Sequence, residues 1–230
     1  MSIWSIIPVK ALRESKSRLS RILSSRERAA LTERLLKRTL RILDQSPIVH
    51  RSLVVSRDPA ALKVARQLGA LTFSESDDKD LDGALIRAAQ LAAAQGARGV
   101  LVLPADLPLL AARDITAFLQ GVVGSGVGVP FGRPSRQLVI CPDYEHDGTN
   151  ALFITPPVGY QFRYGPGSFQ RHVDEAKRLG LSVDVVTVPG LRFDLDTEED
   201  WRRYVAAQAR ETLPLVGSNG QEQPESLSEG

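Results

Sequence analysis

The chain has 230 residues, of which 43% are hydrophobic, and a formal net charge of +2 at pH 7; this predicts one globular domain without a large nucleic-acid-binding surface. A single cysteine excludes an internal disulfide, and one cysteine with three histidines makes a Cys/His zinc site unexpected. There is no signal-peptide pattern and no apolar run as long as a membrane span, so a cytoplasmic protein without membrane or nucleic-acid partners is predicted.

Apolar runs alternate with helix-start signals over the first half of the chain, as in a parallel α/β sheet. Ser24 and Glu27 form a capping-box pattern that predicts a helix ending near Asp44. Asp58 followed by Pro59 predicts the start of a second helix, and a third is predicted over residues 81–95. The strands predicted between these helices span residues 3–9, 53–56, 71–74 and 99–104.

The second half has shorter apolar runs, separated by Gly, Pro and Asp. A short helix near residues 113–119 and strands at residues 127–130, 138–141 and 151–154 predict a partly antiparallel region. Ser168 is predicted to cap a helix that ends near residue 179, a strand follows at residues 183–188, and Thr197 is predicted to cap the last helix. The prediction is a three-layer α/β sandwich with a mostly parallel sheet, in one domain over residues 1–211. The polar segment 212–230 is predicted to be disordered.

Three carboxylates follow apolar runs: Asp106, and the pair Asp194 and Asp196. We expect them at the carboxyl ends of strands, where open α/β sheets bind ligands. In an extended segment Asp194 and Asp196 point to the same face. Three carboxylates without His or Cys partners suit Mg²⁺, and therefore phosphate chemistry. Taken singly, Asp106 also fits a turn or a helix cap, and Asp196 with Thr197 fits an ordinary helix start.

The loop after the first strand is basic and has no glycine. A Rossmann or Walker A loop would have glycines here, whereas this loop holds four cations within nine residues: Lys10, Arg13, Lys16 and Arg18. Cationic side chains can bind phosphates in place of backbone amides. A solvated basic surface loop fits the composition equally well.

The sequence Tyr-Gly-Pro-Gly-Ser-Phe at residues 164–169 leads into a predicted helix. Its glycines permit close backbone approach, and free N–H groups at a helix N-terminus bind anions; a loop with an ordinary Ser cap is the alternative. Thr149 and Asn150 precede a strand and also fit a hairpin turn. His172 is interpreted as a packed or exposed helix residue rather than a catalyst, and Cys141 as a small core residue.

Six motifs stand in order across most of the chain. They are Pro8-Val-Lys10, Lys16-Ser-Arg-Leu19, Leu103-Pro-Ala-Asp106, Asp147-Gly-Thr-Asn150, Gly165-Pro-Gly-Ser168 and Asp194-Leu-Asp-Thr197. Over roughly residues 3–205 the set resembles the guanylyltransferases of deazaflavin coenzyme F(420) biosynthesis. Those enzymes join GTP to phosphoenolpyruvate or to 2-phospho-L-lactate and release pyrophosphate.

The resemblance implies a nucleotidyltransferase fold of the nucleotide-diphospho-sugar type, with Mg²⁺ as cofactor. The sequence leaves the oligomeric state open, with a homodimer as one assembly considered. It implies metal ligands at Asp106, Asp194 and Asp196. It implies acceptor-binding residues at Thr149, Asn150, Gly165 and Ser168. It implies nucleotide-binding residues at Lys10, Lys16, Arg18, Asp82 and Gly83, of which the three cations are also the predicted catalytic residues. The chain departs from the family where Leu81-Asp-Gly-Ala84 replaces the usual Leu-Asn-Ala-Ala, a segment associated with the nucleotide base.

The function predicted from this set is guanylyl transfer from GTP to phosphoenolpyruvate in coenzyme F(420) biosynthesis, with 2-phospho-L-lactate and 3-phosphoglycerate as alternative acceptors. No general base is required, because a phosphate monoester is mostly dianionic at pH 7. Three rival functions are a related nucleotidyltransferase, a metal-dependent glycosyltransferase and a non-catalytic nucleotide-binding regulator. The first would have a Gly-rich first loop, the second shares the strand-end carboxylates, and the third would bind GTP without turnover.

Overall fold

The computed structural model describes residues 1–75, 80–123 and 136–212, with side chains as far as residue 207. The strands are β1 (Ile3–Pro8), β2 (Val49–Ser56), β3 (Leu71–Ser74), β4 (Gly99–Val102), β5 (Gln137–Pro142), β6 (Thr149–Thr155) and β7 (Ser182–Val185). The helices are α1 (Ser25–Asp44), α2 (Pro59–Gln67), α3 (Leu81–Ala94), α4 (Ala112–Val123), α5 (Ser168–Arg178), α6 (Pro189–Arg192) and α7 (Glu198–Thr212). Across these ranges, none of the helices combines the length and apolar character that crossing a bilayer demands.

The described strands form one seven-stranded sheet in the order β3-β2-β1-β4-β6-β5-β7. Only β6 runs antiparallel to its neighbours, and the other pairs are parallel. The predicted mostly parallel sheet with an antiparallel part is thus confirmed. The strand predicted at residues 127–130 lies outside the described residues, as do residues 213–230 of the predicted tail 212–230.

Two apolar cores cover the two faces of the sheet, which confirms the three-layer architecture. One core packs α1, α2 and α4 on one face, through side chains such as Leu36, Leu62 and Phe118. The other packs α3 and α5 on the opposite face, through side chains such as Leu85 and Ala176. Alternate residues along β1 and β4 enter opposite cores, as the pleat of a strand buried on both faces requires.

Local sequence signals match the observed element boundaries closely at several points. The Ser24 hydroxyl accepts a hydrogen bond from the Glu27 N–H, while the Glu27 carboxylate accepts one from the Ser24 N–H at 2.7 Å. The same reciprocal pair joins Thr197 and Asp200 at the start of α7. The N–H groups at both helix starts are therefore capped as the sequence predicts. Cys141 is fully buried, as expected of a small core residue.

Two predictions of strand extent were wrong. β2 begins at Val49 rather than residue 53, because pairing with β1 extends to its first residues. β7 ends at Val185 rather than residue 188, since its partner β5 ends at Pro142, which has no N–H to donate. The apolar residues that follow lead instead into the short helix α6, which the sequence did not predict.

Candidate active site

A partly buried ion pair joins the basic first loop to the loop after β4. Lys16 Nζ lies 2.7 Å from Asp106 Oδ2, and the Lys16 side chain is 6% exposed. Lys16 itself has left-handed backbone angles (φ 55°), an uncommon conformation for a residue with a side chain. The interpretation of this loop as a solvated basic surface is therefore wrong for Lys16, although Lys10, Arg13 and Arg18 are exposed.

The first loop is attached to its surroundings at two points. The Leu12 N–H donates to the Asp58 carboxylate at 2.8 Å. The buried Ser15 hydroxyl lies 2.6 Å from the Thr32 hydroxyl on α1. These contacts hold the loop in one conformation without the glycines that a phosphate-binding loop usually needs.

The second cation–carboxylate pair is more exposed. Arg18 Nη1 lies 3.0 Å from Asp196 Oδ2, with the Arg18 side chain 72% exposed. Beside this pair, an apolar cluster buries Leu19 against Phe193 and Leu195. The cluster fixes the backbone on both sides of the pair, so that two segments far apart in the chain present opposite charges to each other. The pair itself contributes little to stability, because water screens it.

Asp194 and Asp106 are two half-buried carboxylates of the predicted metal site. The Leu195 N–H donates to the Asp106 carbonyl at 3.0 Å, which brings the two segments together. Burial, together with the negative charge of Asp106, raises the pKa of Asp194 to about 6. Its own backbone N–H and the nearby Lys16 act in the opposite direction. Two neighbouring carboxylates repel each other when both are charged, and a bound cation would relieve this repulsion.

The predicted arrangement of three metal carboxylates needs two corrections. The segment with Asp194 and Asp196 follows the helix α6, not a strand. Among the described residues, no group of three or more His, Cys, Asp or Glu side chains is arranged to bind a metal ion. Asp106 and Asp196 are each paired with a cation instead. The donor set still fits Mg²⁺, which is commonly held by one or two carboxylates together with substrate phosphates.

On the other side of β4, a β-bulge orients Thr149. Cys141 pairs with Ala151, but the next residue of β5, Pro142, pairs with Thr149, so β6 holds one extra residue at this point. A bulge rotates the side chains beyond it. Thr149 therefore contacts α5, whereas strict alternation would place it with Ala151 on the opposite face. Thr149 Oγ1 lies 3.0 Å from His172 Nδ1 and 3.2 Å from Ser168 Oγ.

The start of α5 differs from the prediction in two respects. The N-cap is Gly167, and Ser168 is the first helical residue, so Ser168 is not the cap. The Gly167 and Phe169 N–H groups donate to the Asp147 carboxylate and carbonyl, both at 3.0 Å, and the Ser168 N–H donates to the Gly165 carbonyl at 3.0 Å. The protein itself thus occupies the first N–H groups of α5, and the prediction that they are free for an anion is wrong.

Gly165, in the loop before α5, has a backbone conformation that favours glycine. Its φ is +103°, and a Cβ there would meet only the Arg171 guanidinium, at 3.6 Å. Within the described ranges its N–H has no hydrogen-bond acceptor. Gly165 therefore offers a free backbone donor near a cation.

Asp82 and Gly83, at the start of α3, have structural partners. The Asp82 carboxylate accepts a hydrogen bond from the Tyr164 N–H at 2.9 Å, so it supports the loop that leads to Gly165. The Gly83 N–H donates to Asp80, the N-cap, at 2.8 Å, and a Cβ on Gly83 would collide with that carboxylate. The segment that departs from the family pattern thus has structural contacts of its own in this chain. Nucleotide contacts by Asp82 and Gly83 stay a prediction.

Two other side chains complete the site. Asn150 is 7% exposed, and its Nδ2 has no hydrogen-bond partner in the described part of the chain. His172 is fully buried, and burial lowers its pKa to about 3, with the Arg171 charge acting in the same direction. Packing of His172 was predicted, but its contact with Thr149 was not. Asp147 and Arg171 were also missed, since only their place around α5 reveals them.

Known proteins resemble this chain over most of its length. The family model described as "Guanylyl transferase CofC like" matches residues 3–206. The phosphoenolpyruvate guanylyltransferase of Rubrobacter xylanophilus is 42% identical over 207 residues, which cover 90% of this chain and 95% of that protein. The 2-phospho-L-lactate guanylyltransferase of Methanothermobacter thermautotrophicus is 34% identical over 200 residues, covering 87% and 82%.

A solved structure has the same fold at low identity. A nucleotidyl transferase from Methanothermobacter superposes with a TM-score of 0.59 at 12% identity, covering 92% of this chain and 99% of that one. The nucleotidyltransferase fold predicted from the motifs is thereby confirmed, as is the resemblance that they carry. With a family model matched over nearly its whole described length, the chain belongs to the CofC-like guanylyl transferase family.

Proposed function

We propose that this protein transfers GMP from GTP to the phosphate of phosphoenolpyruvate, giving enolpyruvoyl-diphosphoguanosine and pyrophosphate. One observation carries the proposal: the cations Lys16 and Arg18 lie 2.7 and 3.0 Å from two carboxylates that are 90 and 178 residues away in the chain. The cations proposed to bind phosphates are thus direct neighbours of the carboxylates proposed to bind the metal. The relatives named for this reaction support the choice of nucleotide and acceptor.

In the proposed reaction a phosphate oxygen of the acceptor attacks the α-phosphorus of GTP, and the bond to pyrophosphate breaks. The chief obstacle is the repulsion between two anions, so catalysis rests on charge neutralisation and positioning. Lys16, with its side chain nearly removed from water, would hold the triphosphate most strongly. Arg18 and Lys10 are exposed and would assist binding and approach of the nucleotide.

Asp106 and Asp194 would hold Mg²⁺, with Asp196 as a third ligand once Arg18 turns to the triphosphate. When bound, the metal supplies positive charge at the reacting phosphates. Lys16 must leave Asp106 for this arrangement, and the triphosphate offers its ammonium group a new anionic partner. The first loop and the carboxylates thus exchange partners when the substrates bind.

The acceptor would bind between Thr149, Ser168 and the Gly165 N–H. The guanidinium of Arg171, close to Gly165, supplies a cation for the acceptor carboxylate. A second acceptor, 2-phospho-L-lactate, is supported by a relative named for it at 34% identity. Both acceptors carry a phosphate and a carboxylate on a three-carbon frame, which the Thr149 hydroxyl, the Gly165 N–H and the Arg171 guanidinium can bind.

A panel of acceptors tests the proposal. The purified protein is incubated with GTP, Mg²⁺ and one of phosphoenolpyruvate, 2-phospho-L-lactate, 3-phosphoglycerate or a sugar phosphate. Pyrophosphate is measured, and the product is identified by mass spectrometry. We expect the highest kcat/KM with phosphoenolpyruvate. GTP binding without pyrophosphate release for any acceptor would favour the non-catalytic regulator, and release only with a sugar phosphate would overturn the proposed acceptor.

A further inference from the structure

His172 is the only fully buried histidine among the described residues, and both of its ring nitrogens have partners. The Arg163 N–H donates to Nε2 at 2.9 Å. A backbone N–H can only donate, so Nε2 accepts and carries no proton. The opposite nitrogen, Nδ1, lies 3.0 Å from Thr149 Oγ1.

The tautomer of His172 follows from these contacts. A neutral imidazole has one N–H, and with Nε2 unprotonated the proton is on Nδ1. Burial keeps the ring neutral, since it lowers the pKa to about 3. The ring also packs against the edge of Tyr164, with centroids 4.8 Å apart, while the Tyr160 hydroxyl donates to the His172 carbonyl at 3.0 Å. The imidazole is therefore fixed as a donor to Thr149.

The Thr149 hydroxyl receives a second hydrogen bond. Ser168 Oγ donates to Thr149 Oγ1 at 3.2 Å. A hydroxyl oxygen accepts two hydrogen bonds and donates one. With both acceptor positions used by His172 and Ser168, the Thr149 proton remains, and the described residues include no acceptor for it.

We propose that His172 is a positioning residue that fixes the Thr149 hydroxyl as an obligatory hydrogen-bond donor to an anionic oxygen of the acceptor substrate. The inference rests on the proposed function in that it takes the acceptor to bind at Thr149. A hydroxyl that can only donate favours a carboxylate or phosphate oxygen over a group that must itself donate. The histidine acts through Thr149 and touches no substrate.

The β-bulge gives this arrangement its structural basis. Because the extra residue in β6 turns Thr149 towards α5, His172 and Ser168, four residues apart on one face of that helix, reach the same oxygen. A merely packed histidine would need only the bulk of its ring. The two roles differ in whether the Nδ1 proton is required.

A double-mutant cycle separates the two roles. His172→Phe keeps an aromatic ring without a donor, and Thr149→Val keeps the shape without a hydroxyl. We expect each single variant to raise the acceptor KM about tenfold or more, as for loss of a hydrogen bond to a charged group, with the GTP KM changed less than about twofold. The double variant should match Thr149→Val alone, because the histidine acts only through the hydroxyl.

Additive effects of His172→Phe and Thr149→Val, or equal effects on both KM values, would assign His172 a packing role and overturn the proposal. His172→Asn places an amide near the Nδ1 position and should recover most of the acceptor affinity that Phe loses. If His172→Phe does not fold by circular dichroism, the comparison of His172→Asn with Thr149→Val decides. An Asn variant with the full Thr149→Val defect would contradict the proposal.

The tautomer provides a measurement that is independent of activity. In the ¹⁵N-histidine NMR spectrum of the full protein, which contains three histidines, the signal lost in His172→Phe should show protonated Nδ1 and unprotonated Nε2 throughout pH 5–8. Protonation at Nε2, or at both nitrogens, would overturn the proposal even in an active enzyme. A wild-type protein inactive with every acceptor would overturn the proposed function but leave the tautomer result standing.

Discussion

Lys16 Nζ lies 2.7 Å from Asp106 Oδ2, a partly buried contact between residues 90 positions apart in the chain. The pair joins a predicted phosphate-binding cation to a predicted metal ligand. Without substrates each neutralises the other, and with substrates each would have a better partner. We therefore predict that the nucleotide phosphates bind at this pair.

Lys16→Ala should lower kcat/KM for GTP by roughly ten- to more than hundredfold, the loss expected for a charge-assisted contact of about 1.5–3 kcal/mol. Most of the effect should fall on kcat if the contact tightens in the transition state. Arg13→Ala is the matched control, because Arg13 is an exposed cation of the same loop; we expect less than about a twofold change. A loss below about threefold for Lys16→Ala would indicate that the loop is a basic surface without a role in binding GTP.

Asp194→Asn should abolish most turnover while stabilising the folded protein without Mg²⁺. The folded pKa of Asp194, about 6, is raised above its ordinary value of 3.8. The stabilisation that this raised pKa gives is therefore fully present below about pH 4, and it is lost as the pH rises through about 6. The variant should remove this pH dependence of the unfolding free energy, worth at most about 3 kcal/mol, in denaturant titrations with a chelator. Unchanged pH dependence would contradict the assigned pKa.

Mg²⁺ should raise the melting temperature of the wild-type protein at pH 7–8, because a bound cation stabilises the folded state by mass action. Asp194→Asn should remove this increase.

Asp196→Asn loses only a pair with an exposed Arg18, so its stability should change by less than about 1 kcal/mol, whereas its turnover should fall sharply. Normal turnover in folded Asp196→Asn would exclude Asp196 from the metal site.

Gly165→Ala should raise the acceptor KM more than the GTP KM, because Ala is strained at a φ of +103° and the loop would shift. Gly180→Ala is the matched control: its φ is +66°, a Cβ there has no contact within 4 Å, and it follows α5 at the far end. Both variants should lose stability, but only Gly165→Ala should affect the acceptor. Equal KM changes for both substrates would place the acceptor elsewhere.

Substitution of Asp82 tests whether this residue supports the loop that leads to Gly165 or contacts the nucleotide base. Asp82→Asn can keep the oxygen that accepts from the Tyr164 N–H and should leave the acceptor KM within about threefold of wild type, whereas Asp82→Ala should raise it about tenfold. If Asp82 instead contacts the base, both variants would alter the preference for GTP over ATP and leave the acceptor KM unchanged. Steady-state kinetics with both nucleotides distinguish these outcomes.

Much of the fold could be predicted because its signals are local. The capping boxes at Ser24 and Thr197 act over three residues, and continuous apolar runs identify the central strands. The end of β7 could not be predicted, because it depends on where a neighbouring strand stops. The short helix α6 was not predicted either, because the apolar run before it resembles a longer strand.

The order of six short motifs was sufficient to identify the family, because together they are spread over most of the region that the family model matches. Only the tertiary structure revealed that Lys16 and Asp106 are paired, that Asp147 occupies the start of α5, and that His172 orients Thr149. The reason is physical: sequence patterns report propensities over a few neighbouring residues, whereas these contacts depend on sheet order, on one β-bulge and on loops that meet in space.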